Sequence, residues 1–468
     1  MHFYSTNYQP SNLENMKLKL SAFTFFSVCL ATVAGATTAQ AASLTTIVSG
    51  ISNARGVSFG PDGSLYVAEP GVGGDGSCQP SPSTFFQPIC AGNTGSIVKV
   101  GTDGKQERIF QNFESLAEQP SGNQGAGPAA LEFDSYGNAY LLTGFAGYPG
   151  NRDKETLELG SKYPIPESQL ATFPPSTPDE VLNTPKLAQL YKADLATGEL
   201  TSIFDFAEYE IVNNPDGGDI VTNPYDLDID GHKAYVTDGG GNAVYSIDIG
   251  SGNATATAVP KNFIDKSVVE GSLPPGATIP PGLLEEKDGK LGLQSVPTGG
   301  VVGPDGALYV GEYTGFPYPE NKSRIFRIGD DGKPEVFAEG FNNISELTFD
   351  KDGNLLVLQF SDQSQLTGDL TQLPGSLIQL APDGTRTTLV AAGEGLESAD
   401  GLTIGPDNQI YVTTRGVGPE LGSVVRVNKG AEPVPEPASV LGILALSATG
   451  VGAKFKGKLK QLTSKVKA

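Results

Sequence analysis

The sequence predicts an all-β chain, a six-bladed β-propeller closed by its own N-terminal strand. Three observations predict it. GPDGSLYVAE (60–69) returns almost unchanged as GPDGALYVGE (303–312) and more loosely as GPDNQIYVTT (405–414). Each copy is a turn followed by an alternating strand, and cognate units recur six times along the chain. The sixth unit lacks a last strand, and the N-terminus carries one that fits. With 60 Gly, 34 Pro and 38% hydrophobic residues, the composition suits many short strands and turns.

Strand one of each unit is expected at RGVSF (55–59), AALEF (129–133), YDLDI (225–229), TGGVV (298–302), SELTF (345–349) and DGLTI (400–404). Strand two follows at SLYVAE (64–69), NAYLLT (138–143), KAYVTD (233–238), ALYVGE (307–312), NLLVLQ (354–359) and QIYVTT (409–414). The Asp, Gly and Asn between them mark a tight hairpin. Strand three falls at GSIVKV (95–100), AQLYKA (188–193), NAVYSI (242–247), SRIFRI (323–328), GSLIQL (375–380) and GSVVRV (422–427), with alternating apolar positions. Fourth strands are expected at ERIFQNF (107–113), TSIFDFA (201–207), ATATAV (254–259), PEVFAEGF (334–341) and TTLVAAG (387–393). TTIVSG (45–50) matches TTLVAAG and supplies the missing strand of the last blade. A closed ring leaves only short, protected edges. A β-sandwich accounts for neither the six units nor the closure.

The two ends read as addresses. Lys17 and Lys19 precede an apolar run from Leu20 to Ala36, followed by Ala39-Gln40-Ala41. That order marks residues 1–41 as a secretory signal peptide, with Met16 as an alternative start. The propeller is expected over 43–429. The tail, 430–468, holds Pro435, Glu436 and Pro437, an apolar run from Ala438 to Ala453, and six lysines in the last fifteen residues. As a helix the run would span roughly 24 Å, just short of the hydrocarbon core. Triplet, apolar helix and basic end, in this order at the terminus, resemble the PEP-CTERM sorting signal of bacterial exported proteins. The resemblance implies a transient membrane anchor recognised by a membrane sorting enzyme, and a periplasmic, outer-surface or extracellular destination.

The formal net charge of −22 opposes nucleic-acid phosphates and excludes DNA or RNA as a partner. Beyond Cys29 in the signal peptide, the chain has only Cys78 and Cys90, within one Gly/Pro/Ser-rich loop. In an exported chain such a pair reads as a disulfide, worth up to ~3 kcal/mol by chain entropy. A metal-binding pair is the alternative, with no His nearby.

The long insertions, 70–94, 144–187, 260–297 and 361–374, fall between strands two and three or between units. Those connections share one face of a propeller, and loops on a rigid scaffold carry binding sites. A small molecule, glycan or protein is the expected ligand there. Strand-one starts place Arg55, Ala129, Tyr225, Thr298, Ser345 and Asp400 at that face. Strand-two ends place Glu69, Thr143, Asp238, Glu312, Gln359 and Thr414. The ligand set is therefore expected among Arg55, Glu69, Tyr225, Asp238, Glu312, Gln359 and Asp400. Glu69, Asp238 and Glu312 are the candidate metal ligands, with Asn53, Asn223 and Asn343 adding carbonyls. Such hard oxygens suit Ca²⁺ or Mg²⁺. The competing expectation is a water-filled acidic channel with Arg55 pairing one carboxylate.

Classical catalysis has little support. Past the signal peptide the only histidine is His232, in a hairpin turn on the opposite face, so no nucleophile has a histidine base. GVGGDG (71–76) reads as flexible loop rather than phosphate cradle.

NARGVSFGPDGSLYVAE (53–69), GDGSCQPSPS (74–83), GSIVKV (95–100) and GPDGALYVGEYTG (303–315) together resemble the ScyD/ScyE-like family of cyanobacterial exported proteins. The resemblance spans 43–429. It implies an extracytoplasmic role and a link to scytonemin, an indolic-phenolic sheath pigment, without supplying a reaction. Two functions follow: a binding or scaffolding propeller, or a cation-dependent hydrolase or lyase of the NHL/lactonase-like kind at the channel mouth.

Overall fold

The computed structural model describes residues 43–81, 84, 87–153, 181–279 and 282–428. The expected signal peptide and sorting tail lie outside them. Among the described residues no helix is long and apolar enough to cross a membrane.

Strand β1 (Ser43–Ile51) opens the chain and belongs to its last sheet. Blade 1 holds β2 (Val57–Phe59), β3 (Leu65–Glu69), β5 (Pro88–Val100) and β6 (Gln106–Glu118), with β4 (Cys78–Pro80) paired to the start of β5. Blade 2 is β7 (Pro128–Phe133), β8 (Ala139–Thr143), β9 (Gln189–Ala193) and β10 (Leu200–Asp205). Helix α1 (Phe206–Asn213) follows. The expected fourth strand therefore stops at Asp205, whose side chain caps α1 by accepting the Glu208 N–H. Blade 3 is β11 (Pro224–Asp230), β12 (Lys233–Asp238), β13 (Ala243–Asp248) and β14 (Ala254–Ala258). An inserted sheet follows, with β15 (Asn262–Asp265), helix α2 (Lys266–Gly271), β16 (Glu285–Lys287) and β17 (Lys290–Leu293). Blade 4 is β18 (Pro297–Val302), β19 (Leu308–Glu312), β20 (Ser323–Ile328) and β21 (Pro334–Phe341). Blade 5 is β22 (Ile344–Phe349), β23 (Leu355–Gln359), β24 (Ser376–Leu380) and β25 (Arg386–Val390). Blade 6 is β26 (Leu402–Ile404), β27 (Ile410–Thr414), β28 (Gly422–Asn428) and, outermost, β1.

The ring closes as expected: β1 runs antiparallel to β28 from Ser43↔Asn428 to Ile51↔Gly422. The six inner strands neighbour one another in order, with β26 returning to β2. They approach closely. A Cβ on Gly56 would stand 2.8 Å from the Ala129 carbonyl, and one on Gly299 2.6 Å from the Glu346 Cα. Strand two of every blade is buried along its whole length or nearly so, which makes it the spine of the blade core.

The repeated GPDG stretch has a physical reason. Gly60 N–H donates to the Ser64 carbonyl at 2.9 Å, and Gly63 takes a φ of +75° that glycine adopts without strain. Gly306 and Asn408 take the equivalent left-handed position, at +77° and +59°. The turn aspartate reaches back to the strand-two tyrosine. Tyr309 donates to Asp305 at 3.3 Å and Tyr411 to Asp407 at 2.9 Å. Lys99 and Arg327 on strand three add ion pairs to Asp62 and Asp305, at 2.9 and 2.7 Å. Each motif thus ties three strands together at the short-turn face.

Where they are described, the insertions carry defined contacts. Cys78 and Cys90 form the expected disulfide across the β4–β5 pair. GVGGDG, expected to be flexible, packs against that extension. A Cβ on Gly73 would lie 2.4 Å from the Cys90 carbonyl, so glycine is required by contact rather than for mobility. Insertions of adjacent blades touch. Ser81 donates to the Ala146 carbonyl at 2.5 Å and Ser364 to Pro317 at 3.2 Å, which places both pairs of loops on one face.

Candidate binding site at the channel mouth

Arg55, Tyr225 and Asp400 come together at the long-loop face. Tyr225 opens β11 in blade 3, and Asp400 precedes β26 in blade 6, directly across the ring. The Tyr225 hydroxyl donates to Asp400 Oδ1 at 2.5 Å. The Arg55 guanidinium sits 4.5 Å from the centroid of the Tyr225 ring, in cation–π geometry. Arg55 also donates to the Gly125 carbonyl at 3.3 Å. Asp400 is buried, and Tyr225 and Arg55 are half-buried. Burial pushes the Asp400 carboxyl up, while Arg55 and the Tyr225 hydroxyl pull it back. Burial and the Asp400 charge hold the Tyr225 phenol well above its usual range.

Aromatic side chains extend this set. Tyr313, just past β19, packs edge-on to Tyr318 at 6.1 Å and against Phe360 at 5.6 Å. Its hydroxyl donates to Gln365 Oε1 at 3.2 Å. Both tyrosines are half-buried. The mouth therefore offers π faces, one guanidinium and one carboxylate.

The strand-two ends do something else. Glu69 accepts Nε and Nη2 of Arg108 at 2.7 and 3.0 Å, the Ser52 N–H at 2.9 Å and the Ser96 hydroxyl. Arg108 Nη2 also donates to the Gly50 carbonyl at 2.8 Å, at the end of β1. Glu312 repeats the device. Arg324 grips it at 2.7 and 2.8 Å and donates to the Pro260 carbonyl, just past β14. Asp238 accepts the N–H groups of Asn223, Gly240 and Gly241 and the Thr222 hydroxyl. Gln359 accepts the Asn342 N–H at 2.8 Å. Each of these residues clamps the segment entering its blade. Burial raises Glu69, but Arg108, Ser96 and the Ser52 N–H pull it below the usual carboxylate range.

The expected ring of Glu69, Asp238 and Glu312 around a cation is therefore corrected: each acid is held by donors of its own blade. Among the described residues no three His, Cys, Asp or Glu side chains are placed to share a metal. The asparagines are corrected likewise. Asn53 Oδ1 accepts Gly418 N–H at 2.8 Å, Asn223 Oδ1 accepts Phe145 N–H at 3.3 Å, and Asn343 donates to Gln363. Thr143, Thr298, Ser345 and Thr414 spend their hydroxyls on backbone carbonyls. His232 is exposed, 3.8 Å from Asp248.

On the inner strands lies a cluster of acids that sequence reasoning left unresolved into residues. Glu132, Asp226, Asp228 and Glu346 project from inner strands β7, β11 and β22. Asp226 and Asp228 accept the N–H groups of Gly300 and Val302 across the blade 3–blade 4 boundary, both at 2.8 Å. Burial raises Asp226 to about 7 against the pull of the Gly300 and Leu227 N–H groups. Burial and the neighbouring Asp226 hold Glu346 well above its usual range. Burial does the same for Glu132, with Asp228 and Asp226 adding to it. The signal was present as acid–leucine alternation in LEF, DLDID and ELTF.

No protein-family model matches the chain, and no curated protein matches it. Solved structures similar to it include a streptogramin B lyase, 11% identical over 83% of this chain and 98% of that one, with a TM-score of 0.41. A regucalcin from Agrobacterium tumefaciens, titled a calcium-binding protein, is 12% identical over 84% and 96%, at 0.42. A gluconolactonase from Xanthomonas campestris is 12% identical over 82% and 90%, at 0.43. Likenesses this distant carry no functional argument. The six-bladed assignment rests on the hydrogen-bonded strand order.

Proposed function

We propose that this chain is an exported β-propeller that binds a planar aromatic, hydroxyl-bearing ligand at its long-loop face. One observation carries the reading: Arg55, Tyr225 and Asp400, from three blades, converge at the mouth with half-buried tyrosines beside them. Stacking faces together with one cation and one anion select a polar aromatic over an aliphatic chain. The resemblance to the ScyD/ScyE-like family, whose associated pigment is indolic and phenolic, supports the same ligand class. The signal-peptide and PEP-CTERM readings support an extracytoplasmic location, reached through a membrane sorting enzyme, and the disulfide suits an oxidising compartment. A cation-dependent hydrolase at the mouth is the weaker reading, because its expected ligands Glu69 and Glu312 are gripped by Arg108 and Arg324.

The test is calorimetric titration of the mature protein with indole and simple phenols. Tyr225→Phe and Asp400→Asn weaken binding of the preferred probe about tenfold or more, the loss of one hydrogen bond to a charged group. Unchanged affinity in both variants rejects the mouth as the binding site.

A further inference from the structure

Both ends of the propeller leave it at one place. Strand β28 is the third strand of blade 6, so it starts at the long-loop face with Gly422 and ends at the short-turn face with Asn428. Strand β1 runs back beside it, and the pair Ser43↔Asn428 forms the short-turn end. The Asn428 side chain ties the two strands there, its Nδ2 donating to the Ser43 hydroxyl at 3.2 Å and to the Thr45 hydroxyl at 2.8 Å. The other end of the pair, Ile51↔Gly422, lies at the long-loop face, where Asn53 accepts the Gly418 N–H. The mouth residues Arg55, Tyr225 and Asp400 stand at that second face.

The sequence beyond each end carries an uncharged apolar run. Leu20 to Ala36 precedes Ser43, and Ala438 to Ala453 follows Asn428 and is itself followed by Lys454. Because Ser43 and Asn428 are partners, both runs are attached at the same edge of blade 6, and the ring can close while either is held in lipid. Tether length then decides orientation. Residues 429–437 reach at most about 32 Å when fully extended. Strand β1, nine residues at about 3.4 Å each, sets the long-loop face about 30 Å from the point of attachment. With that face against a bilayer, the insertions would lift the attachment point beyond the reach of the tether. The short-turn face meets no such limit. It also carries Tyr136 at the tip of the β7–β8 turn, 88% exposed, and Tyr is favoured at the headgroup level of a membrane.

We propose that the chain, held in a lipid bilayer by residues 438–453, stands on the bilayer by its short-turn face at blade 6 and presents its mouth away from the membrane. The surface turned to the lipid is the Ser43–Asn428 end of the β1–β28 pair with the hairpin tips of the same face. The inference rests on the tail reading given above and is independent of which ligand the mouth takes. An outward mouth takes its ligand from the surrounding medium rather than from the lipid. A cut within 429–437 would release the propeller with its ring closed, because β1 and β28 both lie on the propeller side of the cut.

The test uses the mature chain, 42–468, reconstituted in phosphatidylcholine vesicles. A fluorophore is attached through Pro406→Cys, in the exposed β26–β27 turn, or through Glu420→Cys, in the exposed connection to β28. The native Cys78 and Cys90 are paired and buried and do not react. Energy transfer to a headgroup-labelled lipid is expected to be about twofold or more stronger from 406 than from 420, since the seven residues of β28 hold the two faces roughly 24 Å apart. Truncation after residue 430 abolishes flotation with the vesicles and the transfer from both positions. Tyr136→Cys and Pro185→Cys, exposed on the two faces of blade 2, repeat the comparison if a blade 6 variant does not fold. Equal transfer, or stronger transfer from the long-loop position, in protein that floats overturns the orientation and leaves the anchor standing. A chain 42–468 that does not float with vesicles overturns the tail reading and the proposal with it.

Discussion

The Tyr225 hydroxyl donates to Asp400 Oδ1 at 2.5 Å although the two residues lie 175 positions apart and on opposite blades. A side chain from blade 3 thus meets one from blade 6 across the ring, with Arg55 of blade 1 stacked on the tyrosine. The mouth is spanned by a strut.

Removing the strut hydroxyl should be felt in stability. Tyr225→Phe leaves buried Asp400 short of a donor, at a cost of about 1.5–3 kcal/mol for a hydrogen bond to a charged group. Asp400→Asn, which removes the charge and keeps an acceptor, costs less. Urea unfolding at pH 7 measures both. A wild-type midpoint for Tyr225→Phe contradicts a structural strut.

The two arginine clamps should differ. Glu312 has no side-chain exposure, and Arg324 is 11% exposed. Arg324→Met strands a buried carboxylate, at about 3–5 kcal/mol. Arg108 is 40% exposed, and Glu69 keeps the Ser52 N–H and Ser96 hydroxyl. Arg108→Met therefore costs distinctly less. Equal losses in chemical denaturation contradict this ordering.

The inner-strand acids set a pH dependence. Asp226 sits at about 7 in the folded chain, against about 3.9 for an unfolded Asp. The folded state therefore binds the proton more tightly. The stability this confers is complete below the unfolded value and is lost as pH rises through about 7. Tm falls from pH 5 to pH 8, and Asp226→Asn, which can still accept the Gly300 N–H, flattens the fall. Asp62 has the opposite sign. Burial lifts it, but Lys99 and Ser64 bring it to about 2, so its contribution is present at neutral pH and is lost only in strong acid, as pH falls through about 2. A Tm that is flat from pH 5 to 8 contradicts this account of Asp226.

Reduction should loosen the 70–94 insertion. The Cys78–Cys90 bridge closes a separation of 12 residues, worth up to ~3 kcal/mol by chain entropy. Dithiothreitol or Cys78→Ser/Cys90→Ser lowers Tm and speeds amide exchange in β4 and the start of β5, leaving blades 3 to 5 unchanged. Unaltered exchange in that segment contradicts it.

The architecture was legible because period-two alternation with an Asp-, Gly- or Asn-bearing turn is a local signal, repeated six times, and because TTIVSG matched a strand that the last unit lacked. The site was half legible. Position along a strand identified Arg55, Tyr225 and Asp400. It placed Glu69 and Glu312 at the correct end of strand two but could not show which way their side chains turn. That direction depends on Arg108 of β6 and Arg324 of β20, on strands whose lateral register is not written in the local pattern. The inner-strand acids alternated visibly with Leu131, Leu227 and Leu347. Tyr313 and Tyr318 sat in a short connection that loop length alone did not mark. The fourth strand expected at 201–207 stops at Asp205, because the Asp205 side chain caps the helix that begins at Phe206.

The most direct test of the binding mouth sets two pairs of substitutions against each other. Indole and phenol probes are titrated into wild type, Tyr225→Phe/Asp400→Asn and Glu69→Gln/Glu312→Gln, each at a temperature where it is fully folded. The expected result is an affinity loss of about tenfold or more in the first pair and none in the second. Loss confined to the Glu69/Glu312 pair, or lactone hydrolysis that needs Glu69 and added Ca²⁺, contradicts a binding mouth and restores a cation-dependent enzyme.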